Sequence, residues 1–314
     1  MPRDEDATKL KISGIPSRFA RSLKNIKALM ALLNSYSHGV TIQPTVYVYF
    51  LLMTVAAMIF SGCSIQNSLL YFPNPDLPKE ETLKAAQLKT WPAPSSTADY
   101  RGLISNLEGK YEKGTIVVFH GNGGTAANRV LYVKTFATLG YRVILAEYPR
   151  YGGRKGDLGE KAFVSDALET VKLAFAQFGE PLFLLGESLG CGVATGVANN
   201  PPVKIEGIVL VTPWDTLTAI SQSKFPLLPV RLFLTDTYDN INNLKSFQGR
   251  ISVVAAERDK VVPVSHANNL YRALTNPTKR MWLIEKAGHN DVLFYIDPTK
   301  WKEIMDFVRD GGKE

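Results

Sequence analysis

From about residue 97 onward, short apolar runs alternate with segments whose apolar residues recur three and four positions apart. The runs "GTIVVFH" (Gly114 to His120), "YRVILAEYP" (Tyr141 to Pro149), "PLFLLGES" (Pro181 to Ser188), "IEGIVLVTP" (Ile205 to Pro213) and "RISVVAAERD" (Arg250 to Asp259) predict buried strands. "YRGLISNL" (Tyr100 to Leu107) predicts an earlier strand, and "RMWLIEKAGH" (Arg280 to His289) a last strand and its loop. Helical patterns fill the gaps at 125–140, 159–179, 189–200, 265–275 and 298–311, several with a glycine stop. Near-continuous apolar strands alternating with helices predict an α/β fold, with a mostly parallel sheet covered on both faces. One sheet accommodates all these elements, so 97–314 reads as one domain. Residues 64–96 read as a connector that opens with a short apolar contact, "NSLLYFPNPDLP". The stretch from Val211 to Arg250 is too short for a large cap, yet it carries Trp214, Phe225, Leu227, Leu228 and Leu232. Some of these build the local helix, and others rim an open site.

The first third of the chain has a different pattern. Residues 1–44 hold seven Lys/Arg against three acids, and no charged residue occurs from Ala28 to Pro75. Within that span "VYVYFLLMTVAAMIF" (Val46 to Phe60) is apolar except for one Thr and the Tyr hydroxyls, near the lower length limit for a spanning helix. A basic tail (1–44), an apolar segment (45–63) and small residues before Cys63 follow the order of an export signal. "IFSGC" resembles a bacterial lipobox, which would make Cys63 a lipid attachment site. An uncleaved anchor is the second reading and a buried helix the third. The first two both tether the body to a membrane on the non-cytoplasmic side.

Charge narrows the function classes. The net charge is +7, of which +4 belongs to residues 1–44, so only +3 remains for the rest. The body has no polyanion signature, and no nucleic-acid partner is expected. Two cysteines, Cys63 and Cys191, are too few for a disulfide framework, and Cys191 reads as a small packed residue.

The candidate chemistry lies at predicted strand ends, where open α/β sheets gather their functional groups. Gly186-Glu187-Ser188-Leu189-Gly190 sits between a buried strand and a helix. A sharp turn there lifts a serine clear of the sheet, and side chains two before and two after would collide with its surroundings. A serine hydroxyl needs a base. Of the four histidines, His38 lies in the amino-terminal segment, His120 ends a strand, and His266 starts a helix and reads as surface. His289, in "EKAGHND", follows the last strand and is the candidate base. An imidazole in turn needs a carboxylate to fix its tautomer. Asp259, just past the preceding strand, is the first candidate; Asp215 is the rival, Glu257 a weaker one, and Asp291 a local cap.

The order Ser188, Asp259, His289 is that of the α/β-hydrolases. With "VVFHGNGG", "EYPRYGG", "GESLG", "TPWDTL", "ERDKVVP" and "GHND", residues 97–310 resemble that superfamily. Within it they resemble the BEM46-like serine hydrolases, which include the ABHD13 and ABHD17 proteins. The resemblance implies an α/β-hydrolase fold with a small or absent cap, and an oxyanion site formed by the backbone N–H groups of Asn122 and Leu189. It implies hydrolysis of carboxylic esters or thioesters, acyl lipids among them, with no metal or organic cofactor. Amide hydrolysis by the same residues, and an inactive envelope protein that kept the fold, are the alternatives. "HGNGGT" lacks the Lys-Ser/Thr of a phosphate loop, which argues against a nucleotide site.

Overall fold

Alternate residues of the central strands serve two different cores. Val117 and Phe119 join one buried cluster with Leu184 and Leu210, while Ile116 and Val118 join another with Phe183, Leu185 and Val209. This two-residue period places an apolar layer on each side of one sheet. The computed structural model describes residues 66–92, 99–106, 109 and 111–312. The basic tail (1–44) and the apolar segment (45–63), Cys63 included, lie outside them. The described residues belong to one compact unit, Met58–Glu314.

The strands run, in chain order, β1 (Phe72–Pro73), β2 (Leu88–Trp91), β3 (Gly102–Ser105), β4 (Thr115–Phe119), β5 (Gly123–Gly124), β6 (Arg142–Ala146), β7 (Leu182–Glu187), β8 (Gly207–Val211), β9 (Arg250–Ala256) and β10 (Lys279–Ile284). Eight of them form a sheet in the order β10-β9-β8-β7-β4-β6-β3-β2, and β1 pairs with β5. From β10 through β6 every pair is parallel; β2 and β3 are the antiparallel additions. The helices are α1 (Glu80–Ala85), α2 (Val130–Thr138), α3 (Glu160–Phe178), α4 (Leu189–Asn199), α5 (Leu217–Lys224), α6 (Asn240–Asn243), α7 (Val264–Ala273) and α8 (Pro298–Asp310). Buried residues of α3, α4 and α7 pack on one face, and those of α2 and α8 on the other. The expected α/β-hydrolase architecture is therefore present.

Two features differ from the sequence reading. Residues 64–96 are more than a connector: β2 within them forms an edge of the sheet, with Leu88 and Trp91 buried. Four residues are too few to show a strand period, so the pattern left no trace in the sequence. The 125–140 helix begins as a 3-10 turn, Ala126–Arg129, and becomes α-helical only at Val130.

The topology positions the site. The chain leaves β4 for β6 on one side and returns to β7 on the other, so the loops after β4 and β7 diverge at a switch point. Phe183, near the start of β7, is fully buried with its ring edge-on to Tyr141, 5.8 Å between centroids. Phe183→Ala is expected to cost about 3 to 5 kcal/mol in urea denaturation, through lost burial and an unfilled cavity.

Candidate active site

Ser188 links β7 to α4 with φ 53° and ψ −114°, a backbone conformation that L residues rarely adopt. The turn is fixed by Ser188 N–H donating to the Val211 carbonyl (2.9 Å) and Cys191 N–H donating to the Ser188 carbonyl (2.9 Å). Both flanking glycines are steric requirements. A Cβ on Gly186 would lie 2.5 Å from the Gly190 carbonyl oxygen, and one on Gly190 would lie 2.0 Å from the Phe119 carbonyl oxygen. The start of α4 is thus pressed against the end of β4.

His289 stands in the loop after β10, with Nε2 2.9 Å from Ser188 Oγ and Nδ1 2.7 Å from Asp259 Oδ2. A carboxylate only accepts, so Nδ1 carries the proton and donates to Asp259, leaving Nε2 to accept from the serine hydroxyl. Asp259 Oδ1 accepts from Val261 N–H (2.9 Å) and Val262 N–H (2.7 Å). The carboxylate is 2% exposed and has all its partners fixed by the fold. Of the other acids, Glu257 accepts from Lys286 N–H, and Asp291 caps its own loop through Gly288 N–H (2.6 Å).

Asp215 is engaged elsewhere. Its Oδ1 lies 2.8 Å from His266 Nδ1 and accepts from Thr216 N–H (2.8 Å). His266, expected at the surface, is buried. Its place one turn into α7 faces the segment after β8, and the hydrogen bond to Asp215 makes that burial possible. Cys191 is buried, as its small-residue surroundings suggested; burial pushes its thiol well up, so it stays protonated.

The loop after β4 is held from several sides. Asn122 accepts through its carbonyl from Phe72 N–H (3.0 Å) and Tyr151 Oη–H (2.7 Å), and its side-chain amide donates to the Leu70 carbonyl (3.0 Å). The Asn122 and Leu189 N–H groups donate to no protein acceptor among the described residues. β1 pairs with β5 through Phe72 opposite Gly123, so residues 66–73 form a strap along this loop. The strap is anchored at buried Asp236, whose Oδ2 accepts from Gln66 (2.6 Å) and Tyr71 (2.5 Å). Beneath the loop, His120 lies between the Gly121 carbonyl (Nδ1, 2.7 Å) and Glu147 (Nε2, 3.0 Å).

Sequence reasoning missed Glu147, Asp236 and a pair beside the serine. Glu187 is gripped by Arg129, whose Nη2 lies 2.8 Å from Oε1, and accepts from Tyr132 Oη–H (3.1 Å). Burial is the largest single influence and acts to lower the Arg129 pKa, but the charge and hydrogen bonds of Glu187, with smaller help from Tyr132 and Tyr148, together make the net shift upward. The one signal available was an acid inside an apolar run: Glu147 closes "VILAE" and Glu187 closes "FLLGE". Among the described residues no group of three or more His, Cys, Asp or Glu is placed to hold a metal ion.

With this geometry in place, the similarities to known proteins are informative. The family described as serine aminopeptidase, S33, matches residues 110–233. An uncharacterized protein of Mycobacterium tuberculosis is 32% identical over 180 residues, 56% of this chain and 63% of that protein. The chicken lysophosphatidylserine lipase ABHD12 is 29% identical over 222 residues, 62% of this chain and 58% of the lipase. The chain thus spans about three fifths of the length of these relatives. A Pyrococcus furiosus esterase has the same fold, with TM-score 0.58 and 18% identity over 78% of this chain and 98% of that one. The class supported by fold and similarity together is the α/β-hydrolase superfamily.

Gly190→Ala is expected to destabilise the protein by more than the ~1 to 3 kcal/mol usual for overpacking, because its methyl meets backbone that cannot retreat. Thermal denaturation checks this; an unchanged midpoint contradicts the elbow geometry.

Proposed function

We propose that the protein is a serine hydrolase of carboxylic esters or thioesters, acting through Ser188, His289 and Asp259. The observation that carries this reading is the continuous hydrogen-bonded row from Ser188 Oγ through the imidazole to a buried carboxylate. Ser188 Oγ attacks the acyl carbon while its proton passes to His289 Nε2. Asp259 stabilises the resulting imidazolium and holds its ring in place. The backbone N–H groups of Asn122 and Leu189 receive the oxyanion, each worth about 3 kcal/mol at the transition state. Collapse expels the leaving group, which takes the proton from Nε2. Water then gives a proton to His289 and attacks the acyl-serine, and the acid departs as Ser188 regains its hydrogen. The chemistry is complete with these side chains and water.

An acyl lipid substrate is favoured by the lipase relative and by the apolar segment at Val46–Phe60. Membership of the BEM46-like group belongs to the same proposal and rests on the motif set. So does the tether: Cys63 as a lipidated residue, or the apolar segment as an anchor, with the body outside the cytoplasm. The serine aminopeptidase description of the matching family supports amides as a second substrate class, since the same groups can protonate an amine leaving group.

A fluorophosphonate probe is expected to label the wild type and to leave Ser188→Ala unlabelled; equal labelling of both refutes the assignment. Asp259→Asn should lower kcat by roughly 10⁴, as loss of the orienting carboxylate does elsewhere. Asp215→Asn should leave kcat within about tenfold, because Asp215 contacts His266 and not His289. Parallel rates on a matched ester and anilide decide between ester and amide. Cys63→Ser should abolish acyl labelling and membrane retention if Cys63 is lipidated; unchanged processing points to the anchor.

A further inference from the structure

Around the site, apolar side chains stand in solvent. Leu227 is 95% exposed, Leu232 69% and Phe294 81%. Their places in the chain put them at one edge of the sheet. Leu227 and Leu232 follow β8, Val261 follows β9 and Phe294 follows β10, all beyond the carboxyl ends of adjacent parallel strands. Ser188 follows β7 at that same edge.

Hydrogen bonds join these segments into a rim. Lys224 Nζ–H donates to the Lys260 carbonyl (3.2 Å), linking the loop after α5 to the loop that holds Asp259. At the far end of the α5 loop, Thr235 N–H donates to Gln66 Oε1 (2.7 Å), and Gln66 begins the strap that runs along Asn122. The loop between is held in an outward conformation. Pro226 and Pro229 bracket Leu227 and Leu228, and Gln222 Nε2 donates to the carbonyls of Phe225, Pro226 and Leu228. Little ordering is left to be done when such a loop meets a partner.

Two observations specify the partner. Residues 223–234 include Lys224 and Arg231 and no acid, and Lys260 is exposed beside Val261. Around Leu227, Leu228 and Leu232 the nearby charges in the chain are basic, which suits an anionic lipid surface, whereas Phe294 stands between exposed Asp291 and Asp297. The second is chain continuity. The apolar segment ends at Phe60, six residues before Gln66, and six residues span at most about 20 Å. A bilayer that holds Val46–Phe60 therefore lies within that distance of Gln66, whose side chain bonds Thr235 at the end of the α5 loop.

We propose that this rim is a bilayer-docking surface. Leu227, Leu228 and Leu232 enter the interfacial layer of an anionic membrane, Lys224, Arg231 and Lys260 meet its headgroups, and Ser188 receives acyl chains from the bilayer. The proposal rests on the serine hydrolase reading and adds the source of the substrate.

The test uses the full chain reconstituted in phosphatidylcholine–phosphatidylglycerol vesicles. Two esters with one leaving group are compared, p-nitrophenyl palmitate in the bilayer and p-nitrophenyl butyrate in water. Leu227→Asp/Leu232→Asp is expected to slow palmitate hydrolysis by about tenfold or more, the order of one leucine kept from an apolar phase. Butyrate hydrolysis should stay within about twofold, since both leucines are exposed. An unchanged palmitate rate overturns the proposal. So does an equal fall on both esters, which assigns the leucines to the reaction site itself. The Leu227→Trp variant supplies an independent readout: its added indole is expected to be quenched by brominated lipid, and absence of added quenching overturns docking. Ser188→Ala separates the two levels. If it leaves both hydrolyses intact, the hydrolase reading fails; if it abolishes both, the docking outcomes stand on their own.

Discussion

A serine at φ 53° cannot sit in a regular strand or helix, and the site is arranged around that constraint. The elbow brings the first turn of α4 within contact of β4, and only glycine fits at 186 and 190. The same contact sets the loop after β4 beside the serine. Gly121 in that loop lies close by: a Cβ there would be 3.6 Å from Ser188 Cβ. The strain at one residue is thus held by backbone on three sides: β4, β8 through Val211, and the helix itself.

The two His–Asp pairs differ in what the second imidazole nitrogen meets. Both have short Nδ1 to carboxylate contacts, 2.7 Å for His289 and 2.8 Å for His266. His266 Nε2 faces Ser223 Oγ at 3.5 Å, and that hydroxyl already donates to the Ile220 carbonyl (2.7 Å) within α5. Its proton is engaged in a helix, and the distance is long for a hydrogen bond. Ser188 stands at 2.9 Å from its imidazole on a turn that frees its side chain from helical bonding. The His266 pair pins the segment after β8 to α7, whereas the His289 pair faces the hydroxyl that the proposed function uses as its nucleophile.

The sequence revealed what depends on period and chain order. Apolar strands alternating with helices gave the sheet, and Gly-x-Ser-x-Gly between a strand and a helix pointed to Ser188. The order of Asp259 and His289 pointed to their partnership, and both lie where strand-end logic put them. Contacts distant in sequence left no such trace. Asp236 binds Gln66 across 170 positions, and β2 joins the sheet on four residues. The burial of His266 depends on Asp215, 51 residues earlier, so its local context of Pro, Val and Ser gave no hint. The strap of residues 66–73 extends the site beyond the segment whose motifs announce it.

The central claim is that Ser188 carries the acyl group between two half-reactions. The direct measurement is acid quenching during turnover of a slow ester, followed by peptide mass spectrometry. The account predicts an acyl adduct on the peptide that contains Ser188, formed with a burst of alcohol release and absent from Ser188→Ala. Turnover with no adduct, or an adduct on another residue, contradicts it.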